Sequence, residues 1–397
     1  MIKRIDLFMP TRSRYGVLHH FTKCLHDALK RSGVNCRLLE AQKDNPGPFL
    51  TQIFNDPPDC TLSFNGVLPD AEGRFLCDLL KIPHVACVVD SPNHFFPLIK
   101  SPYNIITCVD RFACEFFKGM NFENVLFMPH AVEKDLEPHS DAQRTFDVLL
   151  LSSCIDYESI GELWKKKYPP SIRKALHKAA ELTLADTDTS YVQAFVIALD
   201  SLRPKIKTTE IAQFDFVEGL NELEFYIRGL DRIRLIQSIK DARVDIFGAD
   251  NSKAVWEKYL GKKQRNIRIH EEVSFEQALE LMKHAKILLN SCLWIKNGAH
   301  ERIFTGLASG ALVLTNDNSY MRENFTDDKN ILFYKPFEMD KINDKINGIL
   351  QNESKRQKIA KKGRDVVMKH HTWDHRAAQL LKELPPILKK IKKQNPK

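Results

Sequence analysis

Short, predominantly apolar runs, with amphipathic helical stretches between them, recur along this chain in two successive sets. The first set is Ile2–Phe8, Cys36–Leu39, Cys60–Phe64, His84–Val89, Ile105–Val109 and Val125–Met128. Helical spacing appears from about Gly16 to Arg31, where Leu18, Phe21, Leu25 and Leu29 share a face, and again near Asp70–Leu80 and Arg111–Lys118. Ser32-Gly33 ends the first of these helices as a C-cap glycine does. A continuously apolar strand is one covered on both faces, and its alternation with helices at this pitch predicts parallel βαβ units.

The pattern restarts at Phe146–Leu151 and resumes at Arg243–Phe247, Ile267–Ile269, Lys286–Asn290, Ala311–Thr315 and Ile331–Tyr334. Between the first and second of these runs lies a stretch rich in Lys, Glu, Leu and Ala, about 157–240, with no strand pattern, which predicts a helical insertion. A chain of 397 residues is long for one core, and the polar, proline-containing Glu133–Arg144 suits a linker. The expected fold class is therefore α/β: two Rossmann-like domains facing a cleft, with a helical insertion in the second half. The expected boundaries are 1–132 for the first domain, 133–145 for the linker, 146–375 for the second domain with its insertion at 157–240, and 376–397 for a C-terminal helix and basic tail. Open α/β sheets bind ligands at the carboxyl ends of their strands, so the site is expected in the cleft.

Hydrophobic residues make up 43% of the chain, yet no apolar run approaches the roughly 18 residues of a bilayer span. Nine cysteines without a Cys-x-x-Cys pair read as buried, reduced thiols of a cytoplasmic protein. The formal charge of +8 is concentrated partly in Lys389–Lys397. It favours an anionic partner or simply a solvated tail; the tail could touch the inner face of a membrane, but one short basic stretch attaches only marginally. No basic motif interleaved with aromatics supports nucleic-acid binding, so nucleic acid is not expected as a partner.

The most informative segment runs from Asn297-Gly298-Ala299-His300-Glu301-Arg302 through Ile303-Phe304-Thr305-Gly306-Leu307-Ala308-Ser309-Gly310 into an apolar strand. It predicts a helix of small residues packed closely on a sheet. The free amides of its N-terminus, joined by Arg302, would make an anion site suited to a diphosphate. His300 would serve the phosphate or sugar beside Arg302. Asp186-Thr187-Asp188 has the look of a metal motif, but an N-cap explains it better, and the remaining histidines lack ligand spacing, so no metal is expected.

That segment, with Tyr320–Phe325, Lys369–Arg376 and Cys108-Val109-Asp110-Arg111 followed by Phe127–Val132, resembles the GT-B glycosyltransferases, in particular the CgeB-like or spore-coat-protein-like group related to families 1 and 4. The resemblance implies transfer of a sugar from a nucleotide-diphosphate sugar, a co-substrate and not a cofactor, held mainly by the C-terminal half, to an acceptor held mainly by the N-terminal half. Aligned with family 4, Asn297 and Thr305 stand where that family has two glutamates, so Glu301 becomes the nearest carboxylate for the donor ribose. Stereochemistry and acceptor stay open: a protein, a polysaccharide, a lipid or a small molecule. Two rival readings are a non-catalytic nucleotide- or carbohydrate-binding protein on this scaffold and a nucleic-acid-modifying transferase.

In the first half the loop Pro10–Gly16 leads to His19 and His20, whose unperturbed pKa suits them to take the acceptor proton. Gly16 and Arg14 could approach a phosphate. Asp90, at the end of a strand, is the carboxylate alternative to a histidine base, with His94 and His130 at neighbouring strand ends. Glu323 could hold a donor group or simply form a surface ion pair.

Overall fold

The computed structural model describes residues 2–41, 47–140, 144–205, 207–248, 252–261 and 265–394. Two compact units result: 1–135 together with 368–397, and 136–367. The chain thus re-enters the first unit at Met368, ahead of the boundary expected at 375. Part of the expected linker, 141–143, and the last three residues of the basic tail lie outside the described residues.

The first unit runs β1 (Arg4–Phe8), α1 (Val17–Arg31), β2 (Asn35–Leu39), α2 (Gly47–Asn55), β3 (Cys60–Phe64), α3 (Leu76–Leu80), β4 (His84–Val88), β5 (Asn104–Cys108), α4 (Arg111–Gly119) and β6 (Val125–Phe127). Its six strands are all parallel, in the order β2-β1-β3-β4-β5-β6. Strands β3, β4 and β5 are buried at every position, as expected of predominantly apolar strands covered on both faces. The helix expected over 70–80 is confined to Leu76–Leu80. Asp70 accepts from the backbone amides of Glu72 and Arg74 instead, closing a turn in which Gly73 has φ +80°.

The second unit begins with β7 (Phe146–Leu151), followed by the insertion: α5 (Tyr157–Lys167), α6 (Pro170–Leu184), α7 (Tyr191–Leu202), α8 (Thr208–Ala212) and α9 (Phe216–Ser238). Then come β8 (Val244–Phe247), α10 (Ser252–Leu260), β9 (Ile267–His270), α11 (Phe275–Lys283), β10 (Ala285–Asn290), α12 (Glu301–Ala308), β11 (Leu312–Asn316), α13 (Ser319–Asn324), β12 (Leu332–Tyr334), α14 (Ile342–Leu350) and α15 (Glu353–His370). The parallel sheet has the order β12-β11-β10-β7-β8-β9. The strand order reverses between β7 and β10, which is the switch point of a Rossmann sheet. The insertion has its own core around the fully buried Trp164, whose ring stacks on Tyr226 at 4.8 Å and whose indole donates to Glu222.

The last helix, α16 (Trp373–Gln394), packs against α1. Trp373 lies 5.5 Å from the ring of Phe21 and 5.8 Å from that of Phe64, and buried Arg376 donates to the carbonyls of Pro129 and His130. These contacts bind the returning chain to the first unit. All nine cysteines are free thiols, and among the described residues no helix is long and apolar enough to cross a membrane.

Candidate functional site

The carboxyl ends of β7 and β10 are where the second unit's sheet can receive a ligand, and α12 begins there. His300 occupies the N-cap position with extended backbone, and Ser309 and Gly310 close the helix, Gly310 at φ +77°. Gly306 faces the sheet at a place where a Cβ would stand 2.3 Å from Leu288 Cδ2 and 3.0 Å from Val313 Cγ2. Only glycine lets the helix lie this close to the sheet. Buried Arg144 ties the far end down, donating to Ala285 O at 2.7 Å and Ser309 O at 3.0 Å.

At the near end three side chains form a relay. The Arg302 guanidinium donates to Leu151 O at 2.5 Å, where β7 ends, and lies 2.8 Å from His300 Nε2; His300 Nδ1 contacts the Glu301 carboxylate. His300 Nδ1 also stands within reach of the Arg302 backbone amide, the N-cap bond of α12. Burial, and then the charge of Arg302, push the His300 pKa below its usual value, so the ring stays neutral. The preceding loop is fastened by Asn318, whose amide donates to Ile295 O and Gly298 O, and by Ser319 bonding Lys296 O. Asn297 is half-buried in that loop, Gly298 and Thr305 are buried, and Glu323 lies exposed on α13.

Helix α9 of the insertion reaches the same place. Arg232 donates to Ser153 O at 2.5 Å, and Arg228, one turn earlier, pairs with buried Glu224 at 2.8 Å. Asp231 accepts from Ser291 Oγ at 2.6 Å, just beyond β10, and from Tyr334 OH at 2.8 Å. Neither arginine was expected from the sequence, although basic residues four apart on a buried helix are a readable signal. A cavity of about 500 Å³ opens farther along the sheet, beside Asp317, Arg322, Tyr334 and Lys345. Its charges are largely paired, Arg322 with Asp317 and Asp188 and Lys345 with Asp327.

Asp186 is not an N-cap. Its carboxylate accepts from Asp188 N and Thr189 Oγ1, closing a turn, while Ser190 caps α7 through a capping box with Gln193. Asp188 is held by Arg322.

In the first unit His20 Nε2 lies 2.5 Å from Glu133 and 3.4 Å from Cys24 Sγ. Burial would raise the Glu133 pKa, but the hydrogen bond and charge of His20 outweigh it and hold the carboxylate below its usual value. His19 is half-buried on the same helix. Gly16, at φ +80°, precedes α1 with open space around its Cα, and Arg14 is exposed beside the ring of Tyr15. Asp90 is exposed and accepts from Asn65 Nδ2 at 2.7 Å; His94 is exposed too. His130 is buried at 3% exposure against Phe21, a packing position and not an open strand end. Among the described residues, ligand-type atoms converge within 4.8 Å in two groups, His20–Cys24–Glu133 and His139–Glu280–His284. The second group brings His284, read from the sequence as scattered, within 4.9 Å of the His139 ring.

The fold is that of the GT-B glycosyltransferases. It is similar to sucrose-phosphate synthase from Thermosynechococcus elongatus, with TM-score 0.58 and 9% identity over 98% of this chain and 100% of that one. It is also similar to Anabaena HepE in complex with UDP-glucose, TM-score 0.55 and 10% identity over 97% and 100%, and to AviGT4, a glycosyltransferase of avilamycin A biosynthesis, TM-score 0.56 and 12% identity over 98% of each chain. Residues 232–382 match the family model described as glycosyl transferase-like. No curated protein matches the chain in sequence. A glycosyltransferase is the class that the fold and the matched segment define together.

Proposed function

We propose that the chain moves a sugar from a nucleotide-diphosphate sugar to an acceptor hydroxyl without a metal ion, the second unit holding the donor. The observation that carries this reading is the N-terminus of α12, fixed at the sheet's switch point with Arg302 and the arginines of α9 around it. Negative charge grows on the departing diphosphate as the glycosidic bond breaks, and fixed guanidiniums and helix amides stabilise it there. Glu301 is the carboxylate for the donor ribose. HepE, a structural neighbour, has been solved with UDP and glucose, which makes uridine diphosphate sugars the first donors to try.

In this reading the first unit serves the acceptor, and His20, oriented by Glu133, takes its proton. The run His300–Thr315 supports a place near the CgeB-like group. The enzyme works in the cytoplasm, where the lysines of α16 can meet an anionic membrane face if the acceptor is lipid-linked.

The test is a thermal-shift and turnover screen across UDP-, GDP-, TDP-, ADP- and CMP-sugars, repeated with Arg302→Ala and with Arg302→Gln, which keeps a donor to Leu151 O. One nucleotide class should raise the melting temperature and be consumed, and both variants should bind it at least roughly tenfold more weakly. Absence of stabilisation and of turnover with every donor would overturn the assignment.

A further inference from the structure

We propose that Arg232, delivered by the inserted helix α9, is a diphosphate-binding residue of the donor site, so that the insertion is a working part of that site. The inference rests on the donor reading above and assigns it a residue outside the Rossmann sheet.

Three observations converge on it. First, α9 is built to come close to the end of β7. At Gly229 a Cβ would stand 2.7 Å from Ile155 O and 3.1 Å from Tyr157 Cβ, so the helix gives up about 1 kcal/mol of helix propensity for that approach. Second, Arg232 follows three residues on and donates to Ser153 O, while Arg302 of α12 donates to Leu151 O. Two guanidiniums from different helices are therefore anchored two residues apart, on the segment where β7 leaves the sheet.

Third, Arg232 is a buried cation without an ion-pair partner among the described residues. It is 3% exposed, its Nε has no hydrogen-bond partner, and no carboxylate pairs with it among the described residues. Arg228 has Glu224, and Arg302 has Glu301 and His300. The neighbouring Asp231 accepts from Ser291 and Tyr334 through Oδ2 and meets Arg232 only through its charge, with no hydrogen bond between them. Burial, then the like charges of Arg228 and Arg302, push the Arg232 guanidinium down to about 9. A buried cation beside two like charges is unfavourable by itself and is explained by an anion that arrives with the ligand. A diphosphate offers the charge and the spread of oxygens that a planar guanidinium grips.

The test uses the full chain with inorganic pyrophosphate, UDP and UMP, read by calorimetry and by thermal shift, in wild type, Arg232→Gln, Arg232→Lys and Arg302→Gln. Because like charges repel Arg232 when no anion is bound, Arg232→Gln should melt higher than wild type without ligand yet bind UDP roughly ten- to hundredfold more weakly. Arg232→Lys keeps the charge and should fall between the two. Wild type should prefer UDP and pyrophosphate to UMP. Wild-type UDP affinity in Arg232→Gln, with affinity lost in Arg302→Gln, would overturn the inference and leave the donor reading standing. A ligand-free Arg232→Gln that melts lower than wild type and still binds UDP normally would show a structural cation and overturn it as well. Failure of wild type to bind any diphosphate would overturn the donor reading itself.

Discussion

Gly306→Ala tests whether the donor site depends on how closely α12 lies on its sheet. The new methyl would meet Leu288 Cδ2 at 2.3 Å and Val313 Cγ2 at 3.0 Å, and both side chains are fully buried on adjacent strands in register. Carbon atoms rest about 3.5–4.0 Å apart, so either the helix lifts by about 1 Å or Leu288 leaves its rotamer. Overpacking of this kind costs about 1–3 kcal/mol, and the better helix propensity of alanine returns about 1. The net loss is then up to about 2 kcal/mol, which for a unit of this size lowers the melting temperature by up to about 8 °C. UDP affinity should fall with it, because the same displacement carries His300, Glu301 and Arg302 away from Leu151. Differential scanning calorimetry without ligand and titration calorimetry with UDP measure the two effects. Leu288→Val, which removes the methyl nearest the clash, should recover part of both in the double variant. If Gly306→Ala melts at or above wild type and binds UDP normally, the close-packing argument is wrong.

Gly310→Ala should be destabilising by at least about 2 kcal/mol, since the residue sits at φ +77° and its Cβ would stand 2.4 Å from Arg144 Nη2; a melting temperature within 1 °C of wild type, roughly the scatter of such a scan, would refute this. Glu133 has its folded pKa depressed, net of burial, by His20, so the pair stabilises the protein above the unfolded glutamate value of about 4.3 and loses that contribution as pH falls through the folded value. Denaturant titrations from pH 3 to 6 should show Glu133→Gln losing less stability on acidification than wild type, and its turnover should drop alongside that of His20→Ala. Asp231 is the opposite case: burial raises its folded pKa, so its contribution is fully present below about 3.9 and declines as pH rises through the folded value. Asp231→Asn should therefore gain on wild type in unfolding free energy between pH 4 and 7, and a difference that is flat with pH would contradict the assignment.

What the sequence shows and what it hides divide along physical lines. Runs such as Cys60–Phe64 and Phe146–Leu151 match the strands residue for residue because burial of most of their positions keeps the runs predominantly apolar, with Thr61, Ser63 and Asp147 as the exceptions. The insertion is legible as helix from composition alone, and α12 from its glycines. Asp70–Leu80 misleads because an aspartate that can cap its own turn competes with a helix that its neighbours would otherwise support. Asp186 misleads in the same way, since Thr189 and Ser190 share the work of turn and cap.

The partners of charged side chains are a different matter, since they are chosen by tertiary distance and not by spacing. Glu133 joins His20 across more than a hundred residues, and Arg232 joins Ser153 only because Gly229 lets α9 descend onto Ile155. A helix selected for stability alone would place an apolar residue at 232, where burial is nearly complete and no carboxylate among the described residues forms an ion pair with it. Local rules that fail at a buried charge, while every surrounding element obeys them, mark the places where a ligand supplies the missing term. On that argument α9 and the Rossmann sheet form one site in the second unit, and Arg232→Gln should lose diphosphate affinity while the sheet, whose core α9 shares through Ile233, Leu235 and Ile236, still folds.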